Sequence, residues 1–205
     1  MSEDLIIVFT KNLIPGKVKT RLAASIGDDG AFEVYKELLD ITEKVTGKID
    51  NADLHIYYSD QIDEYHWKDK PKFVQKGSDL GERMQQAFEH SFSMGYRRVI
   101  GIGSDLPDIN TRILIQALES LHDKKTVFGK AKDGGYYLLG MVNLYDCIFI
   151  DKSWSTDQLL KQTLDELIVK DISFDILAEL SDIDTLEDLK GSTISTKFKH
   201  LYELP

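Results

Sequence analysis

Lys11, Lys17, Lys19 and Arg21 crowd one short segment without an acid among them. They follow the apolar run Leu5-Ile6-Ile7-Val8-Phe9, which reads as a buried first strand. In a chain of formal net charge -10 this basic loop is a local exception, placed where a small anion is received at a strand's carboxyl end. A Walker A loop requires G-x-x-x-x-G-K-[ST]. Here Lys11 stands where the first glycine belongs and Val18 follows Gly16-Lys17, so the pattern fails twice. What remains is Gly16 for close approach, Lys19 and Arg21 as charged donors, and the amides of the following helical turn. An ordinary basic surface loop is the competing reading.

Carboxylates at other predicted strand ends supply a partner chemistry. Asp105 follows the apolar strand Arg98-Val99-Ile100-Gly101-Ile102-Gly103, an expensive place for charge unless it meets solvent or a cation. Mg²⁺ suits it, since that ion takes one or two carboxylates and leaves its other positions to water and phosphate oxygens. Alternatively, Asp105 caps the turn at Leu106-Pro107. Asp182 and Asp184 are spaced by two, which puts both side chains on one side of an extended segment. Asp184 with Glu187 also fits an N-cap and N3 pair for a helix starting near Thr185. Asp133, in a glycine-rich loop, is placed to orient an acceptor hydroxyl or to act as general base.

The elements that must position these groups alternate. A helix beginning within Lys17–Ile26 is interrupted at Gly27-Asp28-Asp29-Gly30, and Ala31–Val45 is an amphipathic crossover helix. Strands are expected at Asp53–Tyr58, Lys72–Lys76, Arg98–Gly103, Thr126–Gly129 and Tyr136–Gly140. Helices are expected from Leu80, capped by Ser78 or Asp79, at Thr111–Leu121 and at Asp157–Ile168. Leu180 closes a strand, a short helix follows Asp184, and the rest is a polar tail. This is one α/β domain, residues 1–205, with a mainly parallel sheet covered on both faces.

Composition narrows the function classes. The acid excess excludes a general nucleic-acid or anionic-membrane binder, because both need an extended basic face. Cys147 is the single cysteine, and His55, His66, His90, His122 and His200 show no i, i+4 pairing, so no zinc pattern is present. The first apolar run is too short for a signal peptide or membrane span, and a cytoplasmic location is expected.

The motifs occur together and in order: Lys11, then Gly16-x-Val18-Lys19-Thr20-Arg21-Leu22; Gly81-Glu82-Arg83-Met84; Gly103-Ser104-Asp105-x-Pro107; Asp133-Gly134-Gly135-Tyr136-Tyr137-Leu138-x-Gly140; Trp154-Ser155-Thr156; and Asp182-Ile183-Asp184-Thr185-x-Glu187-Asp188-Leu189. In this combination, over nearly the whole chain, the sequence resembles a bacterial family of GT-A-like transferases, the radical-SAM/selenodomain-associated transferase 1 type. The resemblance implies a three-layer α/β/α, Rossmann-like nucleotide-diphosphosugar transferase fold. It further implies a Mg²⁺-dependent (or Mn²⁺-dependent) glycosyl or nucleotidylyl transfer from a nucleotide sugar or nucleoside triphosphate to a small acceptor. Asp105, Asp133 and Lys19 then carry catalysis, and Asp105, Asp184 and Asp182 hold the metal. Substrate falls to Lys11, Gly16, Lys19, Thr20, Arg21, Gly81, Arg83, Ser104, Gly134, Gly135, Tyr136, Trp154, Ser155 and Thr156. Leu13 and Lys130 depart from the family's pattern, and Lys130 adds charge near the acceptor side. A nucleotide-binding regulator or partner protein without turnover is the alternative.

Overall fold

The computed structural model describes residues 2–203. Strand β1 (Asp4–Thr10) leads through the basic loop into helix α1 (Thr20–Thr46), followed by β2 (Asp53–Tyr58) and β3 (Lys72–Val74). Next come α2 (Leu80–Ser93), β4 (Arg98–Gly103), α3 (Thr111–Ser120), and the hairpin β5 (Thr126–Ala131) and β6 (Tyr136–Met141). Helix α4 (Leu159–Val169), β7 (Phe174–Leu180) and α5 (Leu186–Gly191) complete the chain, with a 3₁₀ segment at Ser195–Leu201.

The seven strands lie in the order β3-β2-β1-β4-β6-β5-β7. Only β6 runs against the others, because it pairs antiparallel with both β4 and β5 while every other pairing is parallel. The carboxyl ends of β1, β4, β5 and β7 therefore share one edge of the sheet. Alternation along β1 builds the three layers: Ile6 and Val8 pack with Leu22, Leu38 and Leu114 on one face, and Leu5 and Ile7 with Phe88, Leu160 and Leu167 on the other. Fully burying each such side chain contributes ~2 kcal/mol. No helix among the described residues is long and apolar enough to cross a membrane.

The interruption expected at Gly27-Asp28-Asp29-Gly30 is present: helical backbone starts at Thr20, breaks at Gly27 (φ 79°, ψ 163°) and resumes to Thr46. Two expectations are corrected. Phe174–Leu180 is a whole strand, whose edge position leaves it half-exposed and erases the usual burial alternation. The polar tail folds back as the 3₁₀ segment, burying Phe198 in the core.

A buried histidine gives the fold a pH dependence. His55 on β2 is 2% exposed, packed on Phe73 and Tyr96, with Nδ1 unpartnered. Burial first, then the nearby His90, hold its pKa below the ordinary value against the pull of Asp53. A histidine that gains its proton more readily in the unfolded chain makes stability rise with pH. Its contribution is fully present above about pH 6.5 and is lost as pH falls through the folded value. His55→Leu should therefore flatten the acid side of a urea-midpoint profile between pH 7.5 and 5, and parallel profiles for the two proteins would rule out this role.

Candidate functional site

The loop after β1 is built on a buried polar network. The Tyr35 hydroxyl accepts the Lys11 N–H (2.9 Å) and lies 3.2 Å from Thr10 Oγ1 and 3.0 Å from Ser104 Oγ, while Ser104 donates to Thr10 (3.0 Å). The Ser104 hydroxyl, expected to meet substrate, is thus turned inward as a strut between β4 and β1. Asn12, also buried, accepts the Asp60 and Gln61 N–H groups (2.9 and 3.1 Å) and donates to the Gln61 carbonyl (2.6 Å). Neither Tyr35 nor Asn12 carries a motif that marks it in the sequence. With its base pinned, the loop exposes Lys11, Gly16, Thr20 and Arg21.

Lys19 does the opposite. It caps α1 in a left-handed conformation (φ 47°, ψ 45°) that a non-glycine residue adopts only at a cost of ~1 kcal/mol or more. Its side chain is only 6% exposed, and its ammonium donates to Asp105 Oδ2 and Asp184 Oδ1, each at 2.9 Å. Burial opposes the charge, but the Asp105 and Asp184 carboxylates outweigh it and push the Lys19 pKa above its ordinary value. Asp184 also receives Arg21 (3.3 Å), whose side chain is 71% exposed. Burial works against ionisation of Asp184, yet Lys19 and Arg21 hold its pKa below the usual carboxylate value. Asp182 goes the other way: burial, then Asp105 and Asp184, push it up to about 6.

Asp182 and Asp184 reach this place because the segment after β7 crosses the sheet edge and bonds to the Asp105 carbonyl through the Ile183 N–H (3.3 Å). Ile183 points into the core at 1% exposure, so its neighbours on either side face the crevice. The alternative of Asp184 as N-cap does not occur. Thr185 caps α5 in a reciprocal box with Asp188, which leaves the Asp184 carboxylate to the cations. Carboxylate oxygens of Asp105, Asp182 and Asp184 lie within 4.8 Å of one another. They are hard donors of the kind Mg²⁺ or Mn²⁺ takes, and the ammonium already standing between two of them is a cation in that position.

The other wall is made by the β5–β6 turn and the approach to α4. Asp133 is exposed and accepts the Gly135 N–H (2.9 Å), and it lies near enough to Asp182 to raise that carboxylate's pKa. Gly134 (φ 90°) touches the backbone of Asp157, and its carbonyl accepts the Leu160 N–H (3.1 Å). The Trp154 indole lies flush on Gly81 at the start of α2, where a Cβ would come within 2.6 Å of Nε1, and meets Tyr136 edge-on at 6.4 Å. These packing contacts join Gly81, Tyr136 and Trp154, and separately Gly134 and Asp157, while Ser155 and Thr156 stay exposed beside them. Arg83 stands apart: its Nε donates to the Gly77 carbonyl, and it lines a separate hollow of about 540 Å³ with Tyr57, Phe73 and Lys76. Lys130 is paired with Glu179 on β7 (2.7 Å), so its charge is met by the neighbouring strand.

Residues 43–156, more than half of the chain, match the family described as an uncharacterized protein conserved in bacteria, DUF2064. No curated protein matches the chain. Among solved structures, one from Desulfovibrio desulfuricans G20, provisionally named a nucleotide-diphospho-sugar transferase, is 29% identical with a TM-score of 0.89 over 100% of both chains. The 4-diphosphocytidyl-2C-methyl-D-erythritol synthase of Anaerococcus prevotii DSM 20548 shares the fold at 10% identity (TM-score 0.61, 95% of this chain and 97% of that one). So does glucosyl-3-phosphoglycerate synthase of Mycobacterium tuberculosis, solved with Mn²⁺ and UDP, at 12% identity (TM-score 0.51, 98% and 81%). The chain belongs to the bacterial DUF2064 family and has a GT-A-like nucleotide-diphospho-sugar transferase fold.

Proposed function

We propose that this protein is a divalent-metal-dependent transferase that moves a nucleotidylyl or glycosyl group from a nucleoside triphosphate or nucleotide sugar to a small acceptor. The observation that carries the reading is the buried Lys19 ammonium held by Asp105 and Asp184, with Asp182 beside them, next to an exposed basic loop. Asp105, Asp184 and Asp182 would hold Mg²⁺ or Mn²⁺. When bound there, the ion offsets the charge of the donor's phosphates.

The chain's own groups do the remaining work. Lys11 and Arg21, both exposed, meet phosphate oxygens, and Gly16 and the Thr20 end of α1 let the backbone approach them. Asp133, exposed on the opposite turn, accepts the acceptor's hydroxyl proton at a carboxylate oxygen. Gly134, Gly135, Tyr136, Trp154, Ser155 and Thr156 border the acceptor, and Gly81 sets how closely Trp154 closes over it. Arg83 is a substrate contact only for a donor that extends into its hollow.

A thermal-shift screen of nucleotides and nucleotide sugars, with and without Mg²⁺, identifies the donor, because a ligand at a hundred times its Kd adds about 2.7 kcal/mol to apparent stability. Pyrophosphate release then marks nucleotidylyl transfer, and nucleoside diphosphate release marks glycosyl transfer. Removing one phosphate-facing cation costs ~3 kcal/mol in the transition state, so Arg21→Ala should lower the rate about a hundredfold. Nucleotide binding with no product from any acceptor would instead favour a binding protein without turnover.

A further inference from the structure

Lys19 occupies the position that the carboxylate cluster offers to a metal. Its ammonium lies 2.9 Å from an oxygen of Asp105 and 2.9 Å from one of Asp184, two of the three carboxylates a divalent ion would use. An ammonium and a dication held by the same two carboxylates repel, strongly at such separations even at a high effective dielectric. Without a cation among them, three carboxylate oxygens within 4.8 Å of one another repel.

Resting on the reading above, we propose that Lys19 is a displaceable internal cation. It closes the metal position in the free protein, and moves to the donor's phosphates when the divalent ion arrives, so that metal and nucleotide bind as one event. Two features suit Lys19 to this. Its backbone is anchored at the α1 N-cap, where its carbonyl accepts the Ala23 N–H (2.8 Å), so only the side chain has to move. A lysine stem is flexible and carries a compact point charge, whereas an arginine fork would bind both carboxylates in a fixed geometry. The departing ammonium remains beside Lys11 and Arg21, in the loop that faces the phosphates, so the exchange keeps each charge matched. Arg21, 71% exposed, holds Asp184 through one guanidinium nitrogen and keeps its other donors for phosphate.

The measurable consequence is that Lys19 weakens binding of a bare metal ion. If the position is open one-tenth of the time, the apparent Kd is tenfold above the intrinsic one. Mn²⁺ serves as the probe, titrated without nucleotide into wild type, Lys19→Met and Lys19→Gln and followed by the electron-paramagnetic-resonance signal of free ion. Both variants should bind Mn²⁺ at least ten times more tightly than wild type, and Asp105→Asn introduced into Lys19→Met should abolish the gain. Wild type that binds Mn²⁺ as tightly as its folded variants overturns the displacement and leaves the metal-dependent transferase standing. If none of the proteins takes up Mn²⁺, with or without each nucleotide triphosphate, the metal reading falls and the displacement with it. Should the variants fail to fold, wild type still decides: the Lys19 side-chain resonances must change when saturating Mg²⁺ and nucleotide are added, and unchanged resonances in the loaded protein refute the proposal.

Discussion

Asp105→Asn should lower turnover about a thousandfold while the protein keeps its circular dichroism and its cooperative melt. Oriented charges at a reacting phosphate are worth factors of a hundred to a thousand each, and Asp105 does two things at once. It is a member of the three-carboxylate cluster, and it holds the Lys19 ammonium at 2.9 Å. Asparagine preserves shape and one acceptor oxygen but removes the charge that both cations require. The fold survives because Lys19 keeps Asp184, and because the Asp105 carbonyl still accepts the Ile183 N–H. A control lies in the same loop: the Asp108 carboxylate bonds only Thr193 (2.7 Å) among the described side chains, so Asp108→Asn should stay within a factor of three of wild type. The measurement is the initial rate with the donor that raises the melting temperature. An Asp105→Asn rate within tenfold of wild type would remove this carboxylate from the mechanism.

Gly134→Ala should cost roughly 3 kcal/mol of stability, combining backbone strain with overpacking. Its φ of 90° is a conformation that side chains resist, and a Cβ there would lie 2.2 Å from the Asp157 carbonyl oxygen. Backbone cannot rotate away as a side chain can. The segment before α4 must therefore lift, straining the Leu160 N–H bond to Gly134 and drawing Trp154 from its seat on Gly81. Hydrogen exchange should rise at residues 154–160 together with the loss in urea midpoint. Gly135→Ala is the matched comparison, because its added Cβ meets the Asp133 carboxylate at 3.2 Å and Leu159 only at 3.8 Å. That variant should lose less than about 1 kcal/mol but misplace Asp133, so activity falls more than stability. Equal urea midpoints for the two variants would show that the Asp157 contact does not hold the wall together.

Much of this protein was legible in its residues because burial imposes local periods. The strands at 53–58, 98–103 and 136–141 and the helix from Leu80 follow from apolar spacing, and Asp79 caps that helix as its position before Leu80 indicates. The basic loop and Asp105 were placed at strand ends by the same means. The alternation Asp182-Ile183-Asp184 also told correctly that both acids face one way, since Ile183 goes to the core.

Other features depended on groups far apart in the chain. Strand β7 has no clear alternation because an edge strand is half-exposed on both faces. The choice between Asp184 as cap and as cation partner was one residue wide, and it was decided by where the segment crosses Asp105. Above all, the sequence by itself determined that a basic loop and several carboxylates lie at the carboxyl ends of strands. Only the tertiary structure decided that Lys19 stands between two of those carboxylates, 86 and 165 residues away. The physical reason is strand order: β1 lies directly beside β4, and the segment after β7 crosses back over the sheet edge, so charges that no local period relates must neutralise one another.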